Sequence, residues 1–172
     1  MELKCELITT NLIEELILKS QALPRRRLNH NFHQLEDLAQ RMLNCFNKNS
    51  YVCPHRHITP PKNELFYLIR GRLAILLFED DGTVSDTYIL DVKTQNLGID
   101  IKAGTWHTII ALEEGSVVLE VKEGPYVPMS DKDFAPWAPR EGGDPQQIAG
   151  YLENLYVVAA IANLPKPQSH PL

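Results

Sequence analysis

The chain carries six histidines, and three of them stand where one ion could gather them. His55 and His57 are separated by a single residue. Side chains alternate with period two in extended backbone, so both imidazoles leave the strand on the same side and can address one point. Glu64 follows across a six-residue loop at the start of a strand-like run, and His107 stands in another such run just after Ala103 and Gly104. Three neutral nitrogen ligands and one carboxylate oxygen suit Fe(II), Mn(II), Ni(II), Cu(II) or Zn(II). On an octahedral ion they leave positions open for water or substrate. The competing reading, surface or satisfied core residues, requires the spacing to be coincidental. Affinity order alone favours copper and zinc, so the ligand set names one divalent transition metal without choosing it.

Other polar residues are candidates for the surroundings of such an ion. Glu120 and Lys122 share a face of one strand, and either line a cavity as an acid/base pair or pair with each other on the surface. Asn29, Asn31 and His33 either cap a following helix or sit on a loop that folds over the mouth of the site. Lys62 and Arg70 flank Glu64. Arg70 shares the alternating face of Glu64, Phe66 and Leu68; it either stands in solvent or points inward, where a buried guanidinium would need a carboxylate or an anionic ligand. The assignments are therefore His33 and Glu120 for proton transfer, and Asn29, Asn31, Lys62, Arg70 and Lys122 for substrate. Trp106 neighbours His107 and so alternates to the opposite face, into packing.

The elements that must position these residues can be read from periodicity. Leu12, Ile13, Leu16, Ile17 and Leu18 recur at helical spacing between Thr10 and Ala22, with Thr10 or Asn11 as cap, Glu14 and Glu15 in the first turn, and Pro24 beyond the end. Leu35, Leu38, Ala39, Met42, Leu43 and Phe46 predict a second helix over 35–46. After Ser50 the pattern becomes short strands: Tyr51–Val52, then Glu64–Phe78 broken at Arg70-Gly71-Arg72. The run continues over Thr83–Leu90 after an Asp-Gly turn, then Leu97–Ile101, Trp106–Leu112 and Ser116–Lys122. A proline-rich stretch follows Gly124, with Phe134 and Trp137 packing in a covering loop or at a subunit contact. Ile148, Leu152, Leu155, Val158, Ala159 and Ala162 predict a last helix, and 164–172 a frayed tail. The fold expected is mainly β: a small antiparallel β-barrel or jelly roll with N-terminal helices and an irregular, partly helical C-terminal segment. Residues 1–49 form a helical cap, 50–124 the barrel and 125–172 a wrapping segment, in one compact domain overall.

Bulk composition narrows the functions. With 172 residues, 44% hydrophobic and 23% charged, the chain can bury a substantial core. A formal net charge of -5 argues against nucleic-acid binding, and Arg25-Arg26-Arg27 is too short a basic run to reverse that. Three cysteines without paired spacing argue for a reducing compartment. No apolar run of signal-peptide or membrane-helix length is present, so a cytoplasmic protein without membrane contact is expected.

His55-Arg56-His57, then Glu64, then six intervening residues and Gly71, resembles the first motif of the cupin superfamily. Lys102-Ala103-Gly104-Thr105-Trp106-His107 resembles the second, with Lys102 in place of the usual proline and Ala111 where asparagine is frequent. The loop before Glu64 is longer than is typical. The chain is more closely similar to the WbuC family of cupin-fold metalloproteins. The matching stretches are Asn29-His30-Asn31-Phe32-His33, Pro54–His57, Pro60–Phe66, Arg70-Gly71-Arg72, Gly104–His107 and Lys132–Pro139. This resemblance implies the cupin fold and a bound metal. Members tend to sit among genes for surface polysaccharide synthesis, which points to a small-molecule, sugar-related substrate. Cupins often dimerise through barrel edges, so a homodimer is expected. The function expected is a metal-dependent isomerase or epimerase on a small polar substrate. A non-catalytic sugar or nucleotide-sugar binding protein, an Fe(II) dioxygenase and a metal-free interaction sheet are the alternatives.

Overall fold

Alternation along each strand sends its side chains to two different partners, and this sets the architecture. The structure is a computed structural model that describes residues 5–94, 96–127 and 132–163. The elements are α1 (Thr10–Gln21), β1 (Arg27–Asn31), β2 (Ala39–Phe46), β3 (His55–Arg56), β4 (Glu64–Arg70), β5 (Arg72–Phe78), β6 (Val84–Asp91), β7 (Gly98–Ile101), β8 (Trp106–Ala111), β9 (Ser116–Glu123), β10 (Asp133–Phe134) and α2 (Pro145–Ala162). The strands form two five-stranded antiparallel sheets, ordered β1-β2-β9-β4-β7 and β10-β3-β8-β5-β6. The expected barrel is a jelly-roll sandwich of these two sheets.

Inner-face residues of both sheets meet in one apolar layer, including Phe46, Phe66, Leu68, Leu73, Ile75, Ile109 and Val118. The outer faces are also covered. Leu16 and Ile17 of α1 pack on Leu43, Cys45 and Val117 of the first sheet. Leu152, Leu155 and Ala159 of α2 pack with Ala74, Leu76, Phe78, Trp106 and Ile110 of the second. Asp144 caps α2 by accepting from the Gln146 amide at 2.9 Å, and Pro145 opens the helix where no N–H partner is needed. At α1 the cap is Thr9, one residue before the expected start. Its hydroxyl accepts from the Leu12 amide at 3.2 Å, and this leaves Glu14 and Glu15 beyond the first turn.

The second expected helix, 35–46, is not a helix. Residues 39–46 are the strand β2, paired with β1 on one side and β9 on the other. The reason is double burial. Met42 and Phe46 face the interior of the sandwich while Leu43 and Cys45 lie under α1, so apolar residues fall on both faces and imitate helical spacing. Leu35 and Leu38 are exposed and belong to the connection. The expected helical cap over 1–49 therefore contains one helix and two members of the first sheet. Tyr51–Val52 is buried but irregular, and two residues of the covering loop, Asp133 and Phe134, add β10 to β3. Residues 128–131 of the proline-rich stretch and the expected tail over 164–172 lie outside the described residues.

Two of the glycines required by local geometry shape the surroundings of the histidine pair and Glu64. Gly71 has φ +78° in the β4–β5 turn, where a Cβ would meet Ser116 Oγ at 2.5 Å. Gly104 has φ +83°, and its amide donates to the His57 carbonyl at 3.0 Å, tying the loop before β8 to the end of the histidine pair.

Candidate metal centre

Strand register brings the four sequence-distant residues together. β3 pairs with β8 so that His55 stands opposite His107, and β4 pairs with β9 so that Glu64 stands opposite Lys122. His57 follows two residues after His55 on the same side. All four side chains are buried, none more than 4% exposed. One ligand atom from each of His55, His57, Glu64 and His107 lies within 4.8 Å of every other. His57 Nε2 is 3.1 Å from Glu64 Oε1, and His107 Nε2 is 2.9 Å from Glu64 Oε2.

The donor set fits a divalent transition ion. His55 Nδ1 lies 3.0 Å from the Cys53 carbonyl, and His107 Nδ1 lies 2.9 Å from the Thr105 carbonyl. A carbonyl only accepts, so each Nδ1 carries the proton and each Nε2 presents its lone pair. His107 Nε2 and Glu64 Oε2 are buried and close, yet their alignment makes no hydrogen bond. They are placed to share a third partner rather than to bond each other. Burial, with the charge of Lys132 adding to it, holds the His55 imidazole well below its ordinary value, which favours the neutral, ligating form. Burial pushes the Glu64 carboxyl up, but His107, His57 and the Lys122 ammonium outweigh it and hold the group ionised, well below the usual carboxylate range.

Beside this quartet, between the sheets, lies a cavity of about 380 Å³. Its polar wall comes from β1, β2 and β9. Lys122 Nζ lies 3.4 Å from Glu64 Oε1 and 3.5 Å from Glu120 Oε1, so the ammonium stands between the two carboxylates. Glu120 also accepts from the Asn44 side-chain amide. Burial, and then the charge of Glu64, raise the Glu120 carboxyl above its ordinary value, with Lys122 opposing. His33 is buried on the cavity with Nδ1 against the Arg41 backbone, 2.9 Å from the amide and 2.7 Å from the carbonyl. Asn29 and Asn31 sit at the rim, and Asn29 donates its amide to the Asn31 carbonyl oxygen at 2.6 Å.

Most residues expected around an ion are on this cavity: His33, Glu120, Lys122, Asn29 and Asn31. Glu120 and Lys122 do pair, but inside the cavity rather than on the surface. Two assignments to substrate are corrected. Arg70 points outward to Glu14 of α1, because a register irregularity between Leu68 and Arg70 ends the alternation that carried Glu64, Phe66 and Leu68 inward. Lys62 is buried and does not line the cavity; its ammonium donates to the Pro125 carbonyl at 2.8 Å. Neither Asn31 nor His33 caps a helix, since none follows. Trp106 packs on the outer face as expected, donating to Asp80 at 2.9 Å beneath the Arg56 guanidinium.

Residues that sequence reasoning missed are Gln40, Asn44 and Lys132. The first two alternate with Met42 and Phe46, a period-two signal hidden by the helical reading of the same stretch. Lys132 lies in a stretch without periodicity and is brought to the cavity by the pairing of β10 with β3.

A family model described as a domain of unknown function, DUF6016, matches residues 8–90, which hold His55, His57 and Glu64 but not His107. No curated protein matches the chain. Among solved structures, CapF bound to the inhibitor 3-isopropenyl-tropolone is similar with a TM-score of 0.55 and 23% identity, over 65% of this chain and 32% of that one. The capsular polysaccharide assembling protein CapF from Staphylococcus aureus is similar with a TM-score of 0.52 and 23% identity, over 62% and 28%. The match thus spans less than a third of the CapF chains. The cupin superfamily protein DSY2733 from Desulfitobacterium hafniense DCB-2 is similar with a TM-score of 0.50 and 16% identity, over 72% of this chain and 94% of that one. No helix among the described residues is long and apolar enough to cross a membrane. With its two facing sheets and these structural neighbours, the chain has the cupin fold.

Proposed function

We propose that this protein is a metal-dependent enzyme, of the isomerase or epimerase kind, acting on a small polar substrate derived from a sugar. His55, His57, Glu64 and His107 would hold the ion. When bound, the ion supplies Lewis-acid polarisation of a substrate carbonyl or hydroxyl. The observation that carries the reading is the Glu120–Lys122 pair on the cavity wall beside the quartet. Glu120 is a carboxyl raised by burial and within reach of a bound molecule, which suits a group that takes a proton and returns it. Lys122 keeps an ammonium against both carboxylates and holds Glu120 in place. His33 stands on the same cavity as a second proton carrier. The sugar-related direction draws on the resemblance to the WbuC family and on CapF being described as a capsular polysaccharide assembling protein. A cytoplasmic location and a homodimer complete the reading. The three cysteines, all free, favour the reducing compartment.

A second reading, a non-catalytic sugar-binding protein, is favoured by one observation: the Glu120 carboxylate is already engaged by Asn44 and Lys122. Hydrogen exchange separates the two. The metal-loaded protein is incubated in D2O with a panel of aldoses, ketoses and uronates, and carbon-bound proton signals are followed by NMR. The enzyme reading expects loss of one C–H signal in at least one sugar, abolished in Glu120→Gln with metal content unchanged. Binding without exchange would establish the binder instead. Steady oxygen consumption by the Fe(II)-loaded protein would replace both with oxygen chemistry.

A further inference from the structure

Among the described residues, the charged side chains that line the cavity do not balance once an ion is present. Two ammonium groups, Lys122 and Lys132, and two carboxylates, Glu64 and Glu120, line the cavity around the quartet, and the three imidazoles are neutral ligands. With both carboxylates ionised these four side chains cancel. A divalent ion then leaves an excess of two positive charges, and of three if Glu120 holds a proton. The sign is the same either way, and it opposes the formal charge of -5 on the whole chain. The rim does not correct it. Arg25 is exposed there, and Arg27 is engaged by Glu141 at 2.5 Å and by the Tyr51 carbonyl at 2.6 Å. Buried excess charge is costly unless a counter-charge enters with the ligand.

The two ammonium groups differ. Lys122 stands between Glu64 and Glu120. Lys132, at the edge of β10, makes no hydrogen bond or ion pair of its own among the described residues, although it lines the cavity. Lys132 is half-buried, and desolvation pulls its ammonium below the ordinary lysine value against the opposing charges of Glu64, Glu120 and Glu141. The cavity, about 380 Å³ and open at its mouth, lies at the small end of ligand pockets and takes a monosaccharide acid. The Asn29 to Asn31 hydrogen bond at the rim leaves the Asn29 carbonyl oxygen and the Asn31 amino group for hydroxyls.

We infer that the ligand of this cavity is a small hydroxylated organic anion, whose carboxylate or phosphate oxygens lie against the Lys132 ammonium beside the proposed metal centre. The inference rests on the metal reading above and names the substrate class for it. The test uses the full chain loaded with Mn(II), with metal content measured first, and calorimetric titration with galacturonate, galactose 6-phosphate and galactose. At least one anion binds about tenfold or more tighter than galactose, as expected for a charge-assisted contact. Lys132→Met removes that preference while keeping its metal, and Lys132→Arg retains part of it. The uronate and the phosphate ester together identify the anionic group. Galactose binding as tightly as both anions, no binding of either anion, or a Lys132→Met protein that keeps the preference would overturn the inference while leaving the metal reading intact. A protein that takes up no metal fails the reading beneath it, and this inference with it.

Discussion

The interior of the sandwich has two ends built from the same strands, and they differ in what holds them together. Along the inner faces, β4 runs from Glu64 to Phe66 and Leu68, and β8 from His107 to Ile109 and Ala111. β9 runs from Val118 to Glu120 and Lys122. Because the strands are antiparallel, their polar positions fall at one end and their apolar positions at the other. Lys122 faces Glu64 across the ladder, Glu120 faces Phe66, and Val118 faces Leu68. One end is a packed core that holds the register. The other is a charged cavity that the register makes possible and that packing alone would not stabilise.

This contrast predicts different responses at the two ends. Ile75 is fully buried in the apolar end, and Ile75→Ala costs about 2–5 kcal/mol of stability while metal uptake persists. Urea denaturation and metal analysis on the same samples check it, and loss of metal at full stability would break the separation. At the polar end, a metal at a hundredfold excess over its Kd stabilises the wild type by about 2.7 kcal/mol. It adds nothing to His55→Ala, as read from thermal melts with and without metal.

Acid should strike the polar end first. The folded His55 resists protonation, whereas the unfolded chain takes the proton near the ordinary value of 6.5. Its contribution to the metal-free protein is therefore complete above that pH and declines as pH falls below it, by at most about 1.4 kcal/mol per pH unit. Glu64, held low in the fold, adds a further loss as pH falls through and below its ordinary value of 4.5. Melting temperatures of the metal-free protein that stay flat from pH 7 to 5 would contradict this. The smallest effect is outside both ends. The Arg70–Glu14 pair is half-exposed, so Arg70→Ala changes stability by about 0.5 kcal/mol or less and leaves metal content unchanged.

The same contrast explains what could be read from the residues alone. Ligand chemistry imposes a spacing, His-x-His in extended backbone and single ligands at the starts of strands, so His55, His57, Glu64 and His107 were legible without coordinates. Most strands were legible too, from short apolar or alternating runs bounded by turn residues, even where both faces are buried, as in β8. β2 was not, because its apolar residues on two faces, with Leu35 and Leu38 before it, fall at helical spacing. With β2 went Gln40 and Asn44, two polar residues of the cavity wall. Arg70 failed for a different reason: an irregularity in the ladder is invisible in a pattern that counts every second residue. Lys132 depends on the pairing of a two-residue strand, which no local periodicity announces.

The central claim is that four side chains from β3, β4 and β8, with the residue just past β3, jointly bind one ion. Elemental analysis of protein prepared without a histidine tag, then reconstituted separately with Fe(II), Mn(II), Ni(II) and Zn(II), tests it most directly. The account predicts close to one equivalent of at least one of these metals in the wild type, and almost none in His107→Ala at unchanged fold. Full occupancy in His107→Ala, or a wild type that takes up none of the four and no Cu(II) either, would contradict it.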